Sequence, residues 1–138
     1  MKRTVLLLCV AATTVFWSRA SAESADSEIV SAPAAASKLE LRGLAVGSDG
    51  GITGSVFNGS GVAIKDVELL VSHVWSWNDE RHPGENNPGR SSYIRVAGEI
   101  PASGSIPFSY KPEPPLPTRT DGNFETTAAV QSFTEIEN

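Results

Sequence analysis

The fold is decided by one stretch of the chain, Val67-Glu68-Leu69-Leu70-Val71-Ser72-His73-Val74-Trp75. Apolar side chains recur there at every second residue, and a period of two places them on one face of a β-strand. Glu68 and Ser72 lie between them, so the strand is expected to have a core face and a more polar face. We predict that Val67, Leu69 and Val71 are central core residues.

Shorter stretches on both sides repeat this pattern. Alternation predicts further strands near residues 39–42, 52–57, 93–96, 106–110 and 124–134. In the last of them, the residues predicted to share one face are Phe124, Thr126, Ala128, Val130 and Ser132. No window supports a long amphipathic helix. Several short strands separated by glycine- and proline-rich turns are typical of an all-β sandwich.

The connections carry their own signals. Asn58-Gly59-Ser60-Gly61 predicts a turn. Pro107 has no N–H to donate, so its strand is expected at an edge or a bulge. Residues 78–89 form a polar loop, much longer than the roughly 2–5 residues of a usual hairpin loop. Long loops commonly carry function, so any partner surface is predicted to include this loop and its aromatic base, Trp75 and Trp77 on one side and Tyr93 on the other.

Residues 1–22 have the parts of a cleavable secretory signal peptide. Lys2 and Arg3 give a positive start, an uncharged apolar run extends to Trp17, and Ala20-Ser21-Ala22 is a small-x-small cleavage site. The run is short for a membrane-spanning helix, which needs about 20 apolar residues. Cys9 lies inside this run after Leu8, which argues against a lipid attachment site. The protein is therefore predicted to be exported, either periplasmic or secreted, with no membrane span in the mature chain.

Composition bounds the remainder of the chain. Residues 23–37 are rich in Ala and Ser and are predicted to be a flexible spacer, and residues 38–138 a single β-sandwich domain. The part after residue 22 holds eight basic and 16 acidic residues, a net charge of −8, and no cysteine. A negative surface argues against binding nucleic acid or anionic lipid through a basic patch. Without disulfides, packing alone must hold the fold.

Three segments occur in an order that known proteins share. A strand ends in Gly54-Ser55-Val56-Phe57-Asn58, the next begins with Asp66-Val67-Glu68-Leu69, and a turn at residues 102–105 precedes the strand that holds Phe108. This outline, over residues 39–134, resembles the FxLYD type of small exported bacterial domain. Where the motif that names the family would lie, this chain reads Val71-Ser72-His73-Val74-Trp75. The resemblance implies an immunoglobulin-like antiparallel β-sandwich of about seven strands and an accessory extracytoplasmic role.

Aromatic residues flank the long loop and form the first candidate binding site. Trp75 and Trp77 are spaced by two and precede the loop, and Tyr93 follows it. Together they are candidates for a platform that stacks on a sugar ring. The alternative is that Trp75 continues the buried face of the strand and Trp77 covers the edge of the core. With His82 of the loop, the predicted binding residues are Trp75, Trp77, His82 and Tyr93.

Metal sites and modification sites find weaker support. His73 and His82 have carboxylates near them in sequence, but they lack the spacing of a chelating pair. Asp49 and Asp121 precede glycines and offer oxygen ligands to calcium, although Asp-Gly is also common turn chemistry. Asn58-Gly59-Ser60 fits an N-glycosylation acceptor. Residues 112–117 are either a polyproline ligand or a stiff crossover between two strands. We predict neither a metal nor a cofactor.

Catalytic motifs are missing from the sequence. Nucleophilic catalysis needs a Ser or Cys beside a base that a third group orients, and no local motif favours such a set here. The sequence therefore predicts a non-enzymatic accessory or binding module of the cell envelope, with an unknown protein or glycan as its partner. The alternative is a small-ligand module, for carbohydrate or metal, that uses the Trp75, Trp77 and His82 region.

Overall fold

The computed structural model describes residues 27–136, and the predicted signal peptide lies outside them. The elements in chain order are β1 (Ile29–Ser31), α1 (Ala34–Lys38), β2 (Leu39–Val46), β3 (Ile52–Asn58), β4 (Ile64–Trp77), β5 (Arg90–Val96), β6 (Ser105–Tyr110) and β7 (Gly122–Glu135). Within this part of the chain, no helix is long and apolar enough to cross a membrane.

The strands form two antiparallel sheets. One sheet has the order β1-β7-β4-β5, and the other has the order β2-β3-β6. Hairpins join β2 to β3 and β4 to β5, while the other connections pass from one sheet to the other. This confirms the predicted all-β sandwich, with seven antiparallel strands in two sheets, four facing three. Pro107 lies in β6, an edge strand, as predicted.

The core lies between the two sheets, and the deciding stretch forms its centre. Val67, Leu69 and Val71 of β4 are all 0% exposed, which confirms their predicted position. They join one apolar cluster with Val56 of β3 and Phe108 of β6. Burial of a side chain of this size contributes about 1.5–3 kcal/mol, so this cluster is the main source of stability in the domain.

Near the end of β7, the side chains that face the core change from the even-numbered to the odd-numbered residues. Ser132 therefore does not share a face with Val130, which corrects the prediction. Glu68 pairs with Ser132, but the next residue, Leu69, pairs with Val130. An extra residue on one strand reverses the faces beyond it. Phe133 therefore enters the core, while Ser132 donates a hydrogen bond to Glu68 Oε2 at 3.5 Å.

The predicted spacer at residues 23–37 is wrong for its second half, because residues 29–37 contribute a strand and a helix. β1 pairs with β7 from Ile29 opposite Thr134 to Ser31 opposite Ser132. Val30 is buried opposite Phe133, and Ala35 of α1 is buried in the same core. A three-residue strand has too little sequence pattern to be recognised. It is stabilised by the sheet edge and by Phe133, both of which come from far along the chain.

Asn58, the last residue of β3, stabilises this end of the sandwich through its side chain. The side chain is 0% exposed, and its Nδ2 donates to the carbonyl oxygens of Val62, Ile100 and Pro101 at 2.7, 3.0 and 3.1 Å. Its Oδ1 accepts from the N–H and the hydroxyl of Ser60 at 2.9 and 2.6 Å. The predicted turn is therefore present. A buried amide with these partners is not available to a glycosyltransferase, so the glycosylation alternative does not fit the folded domain.

Candidate functional site

Three connections meet at the end of the sandwich opposite Asn58. They are the β2–β3 turn at residues 47–51, the β4–β5 loop at residues 78–89, and the β6–β7 segment at residues 111–121. We call these three connections the loop end. Lys111 Nζ lies 3.3 Å from Asp49 Oδ2, and Asn78 Nδ2 donates to the carbonyl of Thr120 at 3.0 Å. The loop end is therefore one joined surface rather than three separate loops.

The β4–β5 loop has the bounds that the sequence predicts, and it folds on itself. Asp79 accepts a hydrogen bond from the N–H of Arg81 at 3.0 Å, and its other oxygen lies 3.0 Å from His82 Nδ1. These bonds, that of His82 first, hold the pKa of the Asp79 carboxyl below its usual value. The His82 side chain is 84% exposed. This candidate residue is therefore accessible to a partner at the tip of the loop end.

Arg119 joins the long loop to the β6–β7 segment. Its Nε and Nη2 donate to the two oxygens of Asp121 at 2.9 and 2.5 Å, and its Nη1 donates to the carbonyl of Asn86 at 3.0 Å. The guanidinium also lies 5.5 Å from the ring of Trp75 and 5.1 Å from that of Trp77, within cation–π range. Sequence reasoning missed Arg119. The available signal was an Arg-x-Asp triplet in the segment that returns the chain to β7.

The two tryptophans pack inward and against each other. Trp75 is 5% exposed, and its ring meets Phe124 edge-on with a centroid distance of 4.7 Å. Trp77 is partly buried and meets Trp75 edge-on at 5.9 Å. The backbone of Gly84 in the long loop lies against the Trp77 ring, so closely that a Cβ there would be 2.7 Å from Cζ3. Trp75 is therefore a core residue, as the alternative interpretation of the sequence expects. The ring of Trp77 packs beneath the long loop and supports it.

Tyr93 does not belong to this aromatic group, which corrects the predicted platform. It pairs with Leu70 across β4 and β5, whereas Trp75 and Trp77 lie on the opposite face of β4. The Tyr93 side chain is 65% exposed on the outer face of the four-stranded sheet. The sequence does not show which residue of β4 pairs with Tyr93. Its partner, Leu70, faces away from Trp75 and Trp77, so the three rings do not lie together.

A cleft of about 510 Å³ opens at the loop end. Trp75 and Phe124 line it, the β2–β3 turn forms one wall, and residues 115–119 form another. Gly50 in that turn has a φ of 78° and lies directly against Leu116, which leaves no room for a side chain. Glycine adopts this backbone conformation without strain, so the turn can approach the proline-rich wall. The volume lies in the range of small-ligand pockets, roughly 300–1,000 Å³.

His73 lies beneath the cleft as a buried side chain. It is 1% exposed, its Nδ1 lies 2.9 Å from Thr126 Oγ1, and its ring stacks on Tyr110 at a centroid distance of 6.1 Å. Burial, with a smaller contribution from the charge of Arg90, lowers its pKa. Its Nε2 has no hydrogen-bond partner among residues 27–136. Catalysis by a hydroxyl and a histidine also needs a carboxylate that orients the ring, and none bonds His73 among residues 27–136.

The candidate calcium ligands have other partners. The Asp49 carboxylate accepts from the N–H of Gly51 at 3.0 Å besides its contact with Lys111, and these bonds lower its pKa. The hydrogen bonds from Arg119 lower the pKa of Asp121. In the described part of the chain, no three His, Cys, Asp or Glu side chains are grouped to hold a metal ion.

The proline-rich residues 112–117 form part of the crossover from β6 to β7, between the two sheets. Pro112 is buried, and the carbonyl of Pro114 accepts a hydrogen bond from Arg90 Nη2. The segment is therefore built into the sandwich, as the crossover alternative expects.

Comparisons with known proteins give no family for the chain. A scan against protein-family models finds no match, and searches of curated proteins and of solved structures find no significant match. The resemblance to the FxLYD type stays a prediction from the sequence.

Proposed function

We propose that this protein is an exported, non-enzymatic binding module of the cell envelope that recognises a partner protein through the loop end. The supporting observation is the way in which three connections are tied into one surface. Arg119, Asn78 and Lys111 each bridge two of these connections. Binding sites are often carried by loops that a rigid scaffold positions, and this arrangement has that character.

The chemistry of the loop end suits a protein partner. Nearly every residue from 78 to 89 is exposed, and the side chains at the tip include both charges, with Arg81 beside Asp79 and Glu80. The buried Trp75 and the half-buried Trp77 hold the loop from below, so little ordering is needed on binding. A pre-ordered surface loses less conformational entropy when a partner docks, which favours affinity.

A matched pair of photo-crosslinking sites tests this proposal. Glu85 lies exposed in the β4–β5 loop, and Glu99 is another exposed glutamate, at the opposite end. A photoreactive residue at position 85 should capture a specific envelope protein from the native host, whereas the same residue at position 99 should not. A second variant, with residues 78–89 shortened to Asn-Gly, should remain folded and lose that partner. Equal capture from both positions, or full affinity in the shortened variant, would place the binding surface elsewhere.

The cleft favours a second candidate function, the binding of a small ligand such as a carbohydrate. Its volume and its lining by Trp75, Phe124 and Leu116 are those of a ligand site. Trp75 is close enough to report on occupancy through its fluorescence. Titration of the purified protein with a panel of envelope sugars should then change the emission in a saturable way. If no sugar changes the emission, and the residue at position 85 captures a partner, only the protein-binding function remains supported.

A further inference from the structure

Among residues 27–136, four strands lie at sheet edges, and three of them are short, irregular or interrupted by proline. β1 has only three residues. β2 shifts register between Arg42 and Ala45, with Gly43 at a φ of 60°. β6 contains Pro107, which cannot donate to a neighbouring strand. Shortness, irregularity and proline are common means by which β-proteins prevent further pairing at an edge.

Of these four edge strands, β5 alone is both long and unbroken, and the charges that it carries are those of Arg90 and Arg95. Its seven residues pair with β4 in unbroken register, from Val67 opposite Val96 to His73 opposite Arg90. Among residues 27–136, no strand pairs with its other side. The β4–β5 loop leaves this side open, because Arg119 and Trp77 hold it over the end of the sandwich. The backbone groups on the outer side of β5 are therefore free to accept another strand.

We propose that β5 pairs antiparallel with β5 of a second copy of this chain, with Tyr93 at the two-fold axis. A pleated sheet requires residues on the same face to lie opposite each other, so only registers that keep the faces matched are allowed. Centring on Tyr93 is the one such register in which all seven residues pair. It joins the two four-stranded sheets into one sheet of eight strands.

The side chains of β5 avoid a direct contact between like charges in this register. Arg95 lies opposite Ser91, Arg90 opposite Val96, and Ser92 opposite Ile94, so no arginine faces another arginine. A parallel arrangement in register would place each arginine beside its own copy, which is unfavourable. Tyr93, which is 65% exposed in one chain, would be covered by the Tyr93 of the other copy. Aromatic pairs across strands are among the stabilising ones.

The dimer is expected to be weak and concentration-dependent. One strand pair is small against the roughly 1,200–2,000 Å² that stable interfaces bury, so we expect a dissociation constant that is micromolar or weaker. Antiparallel pairing places the two loop ends at opposite ends of the joined sheet. The dimer therefore goes beyond the proposed function and does not depend on it.

Sedimentation of the full chain at several concentrations tests the dimer. Wild-type protein should show a monomer–dimer equilibrium. Tyr93→Lys places two lysines face to face and should raise the dissociation constant by about tenfold or more. Ser109→Lys puts the same side chain on the interrupted edge strand β6 and should leave the equilibrium unchanged. Equal melting temperatures would show that both variants are folded.

Cysteine variants test the register, in a background with Cys9 replaced by serine. Tyr93→Cys should form an intermolecular disulfide under mild oxidation, because the two positions lie opposite each other. Ser91→Cys alone should not, but a mixture of Ser91→Cys and Arg95→Cys should. The proposal is overturned by a monomer at every concentration up to the solubility limit, by a dimer that Tyr93→Lys leaves intact, or by Ser91→Cys crosslinking as fast as Tyr93→Cys.

Discussion

Replacement of Asn58 by alanine tests how the end of the sandwich opposite the loop end is held. The change removes two N–H donors, which serve the carbonyls of Val62, Ile100 and Pro101, and one oxygen that accepts twice from Ser60. Because this side chain is fully buried, water does not replace it without rearrangement.

The cost follows from what each partner keeps. The carbonyl of Ile100 still accepts from the N–H of Ile64 at 2.9 Å, and that of Pro101 from the N–H of Gly104 at 2.9 Å. These acceptors are therefore weakened rather than orphaned. Because the acceptors keep other donors, each of the four lost bonds should cost about 0.5–1 kcal/mol, so we expect Asn58→Ala to cost about 2–4 kcal/mol. At about 4 °C per kcal/mol for a domain near this size, the melting temperature should fall by about 8–16 °C.

Asn58→Asp is a sharper form of the same test. It keeps the oxygen that Ser60 bonds, but it turns a carboxylate oxygen toward the three carbonyl oxygens. A buried charge that faces like partial charges is strongly unfavourable. At neutral pH this isosteric variant should therefore be less stable than Asn58→Ala.

Urea unfolding and thermal melting measure both effects, with Asn123→Ala as a control because Asn123 is an exposed asparagine in β7. The control should stay within about 0.5 kcal/mol of wild type. The reasoning is refuted if Asn58→Ala melts with the wild type, or if the aspartate variant is the more stable of the two.

Two further predictions concern β4. Leu69→Ala should lower the free energy of unfolding by about 2–5 kcal/mol because Leu69 is fully buried. Leu70→Ala, on the outer face of the same strand, should lower it clearly less. Equal losses in urea unfolding would contradict the assignment of faces. The lowered pKa of His73 means that the unfolded chain, with a histidine pKa near 6.5, binds a proton more readily than the folded one. The contribution of this group to the free energy of unfolding is therefore fully present above the unfolded pKa of about 6.5. It falls as the pH drops below that value, by at most about 1.4 kcal/mol per pH unit. His73→Gln should flatten this slope between pH 7 and 5, and an unchanged slope would show that another group causes it.

The sequence predicts strands well wherever a residue's own neighbours determine its environment. β4 alternates over a long stretch, and each buried residue from Val67 to Trp75 follows from that period. The β4–β5 loop is delimited by a run of polar residues, glycine and prolines. Pro107 marks an edge because its missing donor is a local property.

Features fixed by distant residues could not be predicted in this way. β1 depends on the free edge of β7, and the inward position of Phe133 depends on the register shift near Glu68. Tyr93 was misplaced because its face is set by its partner Leu70, which the spacing to Trp77 does not reveal. The contact of Arg119 with Asn86 was missed for the same reason, since Asn86 lies on a loop 33 residues earlier in the chain, whereas the pairing of Arg119 with Asp121 is local.

The two ends of the sandwich satisfy their buried polar groups differently, and this contrast supports the choice of the loop end as the binding surface. At the far end, Asn58 uses both of its polar atoms in hydrogen bonds. At the loop end, His73 Nε2 and Trp75 Nε1 are buried without a partner among residues 27–136. A buried polar group without a partner costs about 1–3 kcal/mol, so such groups are uncommon in a packed interior. Departures from otherwise consistent design are expected where a fold serves function, and here they coincide with the cleft and with the three joined connections.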